Sequence, residues 1–286
     1  MIKLAANLDW LYAELPPAQR FDAAARDGFK AVELLFPFVH SLDALRTLLR
    51  EQGLTLALFN APPGDWTAGD RGLACLPERR EEFRAGIAQA LRWAQALGKP
   101  LVHVMAGLMP AGCDAAELRA CYVDNLRWAA QQALSEGLRL SIEPINGRDM
   151  PGYFLTHQDQ ALQIIDEVGA TNLGLQMDLY HCQIVEGDLS TRLKKSFATG
   201  RLAHVQVAAV PDRGEPDQGE LRVEHLLGLL DELGYQGFVG CEYRPRAGTS
   251  AGLGWAQRWL KSPAAARTDS GRQQGPVYSI KPSAAA

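Results

Sequence analysis

The sequence predicts a (β/α)₈ TIM barrel in the α/β class, and three observations point there. Eight short β-like runs alternate with amphipathic helical stretches over about 260 residues, close to the size of such a barrel. The turn after the first run, "NLDWLYAEL", lacks the glycines that a nucleotide-binding open sheet would carry. Oxygen-bearing side chains recur at the ends of the last four runs, at roughly one βα unit apart.

The elements follow in order. "KLAANL" (3–8) is the first strand, and a helix is expected around 17–28. "KAVELLF" (30–36) precedes a helix from Ser41 to about Gln52, and "LTLALFN" (54–60) is the third strand. A long loop leads to a helix whose apolar residues Phe83, Ile87, Leu91 and Ala94 repeat at helical spacing. Gly98 and Pro100 stop it. "LVHVMA" (101–106) and a helix over 114–136 complete the first half. "LRLSIE" (138–143) is the fifth strand. Thr156 and Asp159 then stand at the spacing of a capping box, ahead of the fifth helix. "LGLQMD" (173–178) is the sixth strand, and Asp188 is expected to cap the next helix. "LAHVQV" (202–207), a helix at about 222–233, "GFVGCE" (237–242) and a helix at 250–260 finish the pattern. The barrel is assigned to residues 1–261. From Ser262 to Ala286 the chain loses periodicity and fills with Ser, Pro, Gly and Ala, so 262–286 is expected to be a disordered tail.

Composition narrows the function. Of the 286 residues 47% are hydrophobic and 22% charged, as in ordinary globular proteins. A net charge of −4 argues against a nucleic-acid surface. No apolar run reaches the ~20 residues that span a bilayer, and the N-terminus lacks a signal-peptide core. The five cysteines are odd in number and form no CxxC pair. They read as reduced thiols of a cytoplasmic protein.

Alternation along a strand sends every second side chain to one face. Arg139, Ser141 and Glu143 then face the barrel interior, as do Gly174, Gln176 and Asp178 on strand six. His204 and Gln206 do so on strand seven, and Gly240 and Glu242 on strand eight. Glu143, Asp178, Gln206 and Glu242 should therefore sit side by side on the C-terminal rim, where barrel active sites lie. Three carboxylates converging in a partly dry mouth repel one another unless a cation lies between them. An all-oxygen set favours a hard ion, Mg²⁺ or Mn²⁺.

These residues carry a resemblance. "AANLDWL", "APPGDWTAGDRGLA" (61–74), "VHVMAG" (102–107), "IEPIN" (142–146), "LQMDLYHCQ" (175–183), "HVQVAAVPDRGEPDQGE" (204–220), "GYQGFVGCEYRP" (234–245) and "GLGWA" (252–256) occur in order over the chain. Together they resemble the hydroxypyruvate isomerases of the xylose isomerase-like barrel superfamily. The resemblance implies metal ligation by Glu143, Asp178, Gln206 and Glu242, with Glu143 and Glu242 as the proton-transfer pair. Related sugar epimerases carry a histidine where Gln206 stands, and a neutral amide is the weaker ligand. His204, on the same face, is the alternative. The implied reaction is an aldose–ketose isomerisation of hydroxypyruvate and 2-hydroxy-3-oxopropanoate through a metal-stabilised enediolate. "VHVMAG" and "GLGWA" look like the 2-oxotetronate isomerase branch, which acts on a four-carbon sugar acid, whereas "IEPIN" looks more like the hydroxypyruvate branch.

Around this centre, His181 in "DLYH" is expected to hydrogen-bond a substrate oxygen. Arg213 is expected to meet the substrate carboxylate. Glu215, Asp217 and Glu220 read as solvated, and His103 and Met105 as barrel lining. Glu33 is expected to pair with a basic or polar neighbour inside the barrel. The loop over 60–72 has the length of a lid, with Trp66 placed to cover the mouth. The partner is thus a small 2-oxo acid, with no membrane or nucleic acid. The oligomeric state is open, a homo-oligomer included. The competing classes are a metal-dependent endonuclease, which would need clustered histidines and a basic groove, and a non-catalytic small-ligand binder.

Overall fold

A computed structural model describes residues 1–260 of the chain. Its eight strands form one closed parallel barrel in sequence order. They are β1 (Lys3–Asn7), β2 (Ala31–Leu34), β3 (Thr55–Asn60), β4 (Leu101–His103), β5 (Leu140–Ile142), β6 (Leu173–Asp178), β7 (Leu202–Val207) and β8 (Phe238–Cys241). The first and last strands pair, Ala5 opposite Gly240, which closes the sheet and removes its edges. The helices are α1 (Pro17–Arg26), α2 (Leu42–Glu51), α3 (Arg80–Ala96), α4 (Ala115–Ser135), α5 (Gln158–Val168), α6 (Leu179–Val185), α7 (Leu189–Ala198), α8 (Val223–Glu232), α9 (Thr249–Gly252) and α10 (Gln257–Leu260). The predicted tail, 262–286, lies outside the described residues.

The helices bury the faces their spacing marks out. In α3, Phe83, Ile87, Ala90, Leu91 and Ala94 are buried against the barrel. Ser41 caps α2 by accepting the Ala44 N–H (3.2 Å), and Asp114 caps α4 by accepting that of Ala116 (2.9 Å). Inside the barrel, Ala5, Ala31 and Ala57 form a small apolar cluster with Phe238 packed against it. The remaining interior is polar. Asn7, Glu33, Ser141, Gln176, His204 and Gln206 are all buried there.

Four local expectations fail. Asp188 is the N-cap residue of α7, but its left-handed backbone (φ 50°) turns its side chain away, and it accepts no capping bond. The helix instead rests on burial of Leu189 and Leu193. Thr156 is not a cap either. Its hydroxyl bonds the His157 ring (2.8 Å), and His157 takes the N-cap position. Arg139 precedes β5 and is exposed, because the strand is only three residues long. The helix expected over 250–260 is split into α9, a 3₁₀ turn and α10.

Candidate active site

The four rim residues converge. Glu143 follows β5, Asp178 ends β6, Gln206 lies in β7 and Glu242 follows β8, and all four are buried. Register puts Asp178 opposite Gln206, and Gln206 opposite Gly240. Glu143 and Glu242 line one cavity of about 330 Å³, together with Asn60, His103, Gln176, His181 and Arg213. Trp10, Phe36, Trp66 and Met150 form its apolar walls. Trp66 therefore stands at the mouth, as expected for the loop that carries it.

An amide bridge joins the two glutamates. Gln176 donates to Glu143 (3.1 Å) and to the Gln206 side-chain oxygen (2.8 Å). Gln206 in turn donates to Glu242 (2.7 Å) and to Glu33 (2.9 Å). Gln206 thus shows its nitrogen, not its oxygen, to Glu242. Glu33 accepts from His204 across 2.6 Å, so His204 serves Glu33 and is not at the rim. Gly240 makes room for this pair, since a Cβ there would collide with the Glu33 carboxylate.

Burial acts on the carboxylates first. It pushes Glu143 well above the usual range, helped by the charges of Glu242 and Asp178. It lifts Glu242 to about 8, although the Arg213 guanidinium opposes the shift. It lifts Asp178 to about 6, again against Arg213. Asp178 has two duties. One oxygen caps α6 by accepting the Tyr180 N–H (2.8 Å), and the other, Oδ2, is buried with no hydrogen-bond partner. An orphaned carboxylate oxygen beside the Glu143 carboxylate, which no formal cation pairs, is an acceptor set that fits a cation.

Glu143, Asp178 and His181 are close enough to surround one ion. The histidine, however, is held in the wrong tautomer for ligation. Asn146 accepts the backbone N–H groups of Arg148 (3.0 Å) and Asp149 (2.8 Å) through its side-chain oxygen. Its amide nitrogen must then donate to His181 Nδ1, at 2.6 Å. The ring proton is left on Nε2, 3.6 Å from Asp178 Oδ2, so the ring offers an N–H to the cavity. Burial and Arg213 hold its pKa well below the ordinary value, so the ring is neutral.

Arg213 belongs to the carboxylates. It donates to Glu242 (2.5 Å) and to Asp149 (3.4 Å) and lies 3.7 Å from Asp178. Its guanidinium faces the rings of Trp10 (4.3 Å) and Tyr180 (4.9 Å). Burial works against its charge, and the surrounding carboxylates outweigh it and raise its pKa.

Sequence reasoning gave no role to Asn7, Asn146 or Gln176, because a lone amide has no signal until its partners are known. It also misjudged Glu215, which is buried and accepts the Arg246 backbone N–H (2.9 Å) and guanidinium (3.2 Å). His103 does line the cavity, bonded to Asn60 (3.0 Å). All five cysteines are free, and among the described residues no helix is long and apolar enough to cross a membrane.

Comparison with known proteins identifies the family of this barrel. A family model described as a xylose isomerase-like TIM barrel matches residues 21–262. The chain is 55% identical to a 2-oxo-tetronate isomerase of Cupriavidus necator, over 91% of this chain and 99% of that protein. It is 43% identical to the hydroxypyruvate isomerase of Escherichia coli, over 89% of this chain and 98% of that one. Among solved structures it superposes with TM-score 0.88 on a Brucella melitensis protein titled AP endonuclease, family 2. That chain is 42% identical, with 91% of this chain and 99% of that one covered.

Proposed function

The chain belongs to the xylose isomerase-like TIM barrel family, and from that premise we propose that it isomerises a small 2-oxo sugar acid by moving a hydrogen between adjacent carbons. The observation that carries this reading is the pair Glu143 and Glu242, two buried carboxylates lining one cavity. A carbon-bound proton next to a carbonyl is weakly acidic, so its removal needs a positioned base. Its return to the neighbouring carbon needs an acid. A carboxyl group held near neutral pH serves both tasks, because it exchanges protons with little cost in either direction. Glu242, lifted to about 8, has that property. Arg213 keeps it oriented, and the amide bridge through Gln206 and Gln176 ties its position to that of Glu143. The His181 N–H is proposed to donate to a substrate oxygen that gains charge as the proton leaves.

A divalent cation, Mg²⁺ or Mn²⁺, would be held by Glu143 and by the free oxygen of Asp178. Glu242 would join them through a further oxygen lone pair while still paired with Arg213, and Gln206, whose side-chain oxygen Gln176 holds, would be the weakest member of the set. When bound, such an ion polarises adjacent substrate oxygens as a Lewis acid. Trp10, Phe36 and Trp66 keep water away from the carbon being deprotonated.

Two acids fit this chemistry. The motif "IEPIN" favours hydroxypyruvate, giving 2-hydroxy-3-oxopropanoate. The higher identity to a 2-oxo-tetronate isomerase supports the four-carbon acid, and we take that acid as the first substrate to test. An endonuclease reading finds less support, because the acidic chain has only six histidines. With five free cysteines, the enzyme is proposed to work in the cytoplasm. Solvent-deuterium incorporation into each acid, followed by NMR in D₂O with Mn²⁺ present, tests the proposal. Exchange and isomerisation of at least one acid are expected. Absence of both would reject it.

A further inference from the structure

A 2-oxo acid carries a full negative charge, and the arginine that the sequence assigns to it is already engaged. Arg213 contacts Glu242, Asp149 and Asp178 and is covered by two rings. An incoming carboxylate would have to displace one of these groups. Two other guanidinium groups line the same cavity. Among the described residues neither has a carboxylate within ion-pairing distance, whereas 11 of the 20 arginines there do.

Arg244 follows Glu242 by two residues. Its backbone N–H donates to the Arg213 carbonyl (2.8 Å), which fixes where its side chain leaves the main chain. Its guanidinium lies over Trp10 at 5.1 Å, against the ring that also supports Arg213. It is exposed and its side chain makes no hydrogen bond among the described residues. Arg71 sits in the long loop after β3. One of its nitrogens donates to the carbonyls of Trp66 (3.1 Å) and Asp70 (2.6 Å), and the guanidinium stacks on Trp66 at 3.9 Å. Among the described residues its remaining N–H groups make no hydrogen bond. Each arginine is thus held by an aromatic ring yet keeps its donors and its charge for a ligand.

We propose that Arg71 and Arg244 form the clamp for the substrate carboxylate, while Arg213 orients Glu242. Planar guanidinium groups match a carboxylate through paired charge-assisted hydrogen bonds. The clamp determines specificity: it selects an acid over the neutral sugar of the same length and leaves the reacting carbons to the glutamates. This rests on the 2-oxo acid reading above.

The test uses the full-length enzyme with Mn²⁺ and the variants Arg71→Gln, Arg244→Gln, Arg244→Lys and the double Gln variant. The substrates are 2-oxotetronate and a neutral four-carbon ketose lacking the carboxylate. Each Gln change should lower kcat/KM for the acid about 10- to 100-fold, chiefly through KM, as expected for loss of a charge-assisted bond. The loss on the neutral ketose should be several-fold smaller than on the acid, and Arg244→Lys should recover part of the loss on the acid. A KM within about twofold of wild type in the double variant would overturn the clamp, given that a lost charged bond costs more than that. So would equal losses on the acid and the ketose, which would mark a structural role.

Calorimetric binding of a small hydroxy-dicarboxylate separates the two proposals. If the wild type exchanges neither acid, the isomerase reading fails. The clamp then stands if this probe binds the wild type and not the double variant. It falls if the probe binds both alike or binds neither.

Discussion

His181 accepts a hydrogen bond from Asn146 at its Nδ1 across 2.6 Å, and the Asn146 amide is itself oriented by two backbone donors. A loop therefore sets the tautomer of a ring in the site. Asn146→Ala removes the shorter of two donors to Nδ1, leaving only the Asn146 backbone N–H at 3.4 Å, and loosens the hold on the ring's tautomer. We expect turnover to fall by about tenfold or more, the scale for a misplaced hydrogen-bond donor at the reacting group. Nitrogen NMR of the ring should show protonation shifting from Nε2 toward a mixture. An unchanged ring spectrum would mean that another group holds the proton.

Stability should depend on pH and on metal together. Burial lifts Asp178 from 3.8 to about 6 and Glu242 from 4.5 to about 8 in the folded chain. Between those values the folded protein holds protons that the unfolded chain has lost. The stability contributed by these groups is therefore full below the unfolded values and is lost as pH rises through the folded ones. In chelator, the melting temperature should fall between about pH 5 and about pH 9. Mn²⁺, which favours the ionised carboxylates, should flatten that fall. Glu242→Gln should flatten it without metal. A melting temperature that climbs over this range in chelator would contradict the assignment.

Glu33 and His204 form a buried pair beneath the rim, and Gly240 leaves them space. Gly240→Ala pushes a methyl group into the Glu33 carboxylate. Urea unfolding should show a loss of about 1–3 kcal/mol, the scale of overpacking in a filled core. Activity per folded molecule should also fall, because Glu33 holds the Gln206 amide that donates to Glu242. A variant as stable as wild type would mean that Glu33 moves aside freely.

The barrel and its four rim residues were legible because both rest on periodicity. Alternation along β6 and β7, whose bounds match expectation, puts Asp178 and Gln206 on the inner face, and the βα spacing brings neighbouring strand ends together. What was not legible depends on partners far apart in the chain. The Gln206 amide points as it does because Gln176 donates to its oxygen. Arg213 is engaged because Glu242, Asp149 and Asp178 surround it. Glu215 is buried because Arg246 covers it. Asp188 fails as a cap through its backbone conformation, which residue type alone does not specify.

The two-glutamate account is tested most directly by solvent exchange in glutamine variants with metal titration. Glu143→Gln and Glu242→Gln keep shape and one oxygen, so metal affinity should weaken only partly. The rate of deuterium incorporation into 2-oxotetronate or hydroxypyruvate, whichever the wild type uses faster, should fall by about 10²–10⁴-fold. Excess Mn²⁺ should not restore it. Asp178→Asn, which alters a proposed ligand and not the acid–base pair, should regain much of its exchange in excess Mn²⁺. If excess metal rescues Glu143→Gln or Glu242→Gln as fully as Asp178→Asn, that glutamate is a ligand only and the mechanism is wrong.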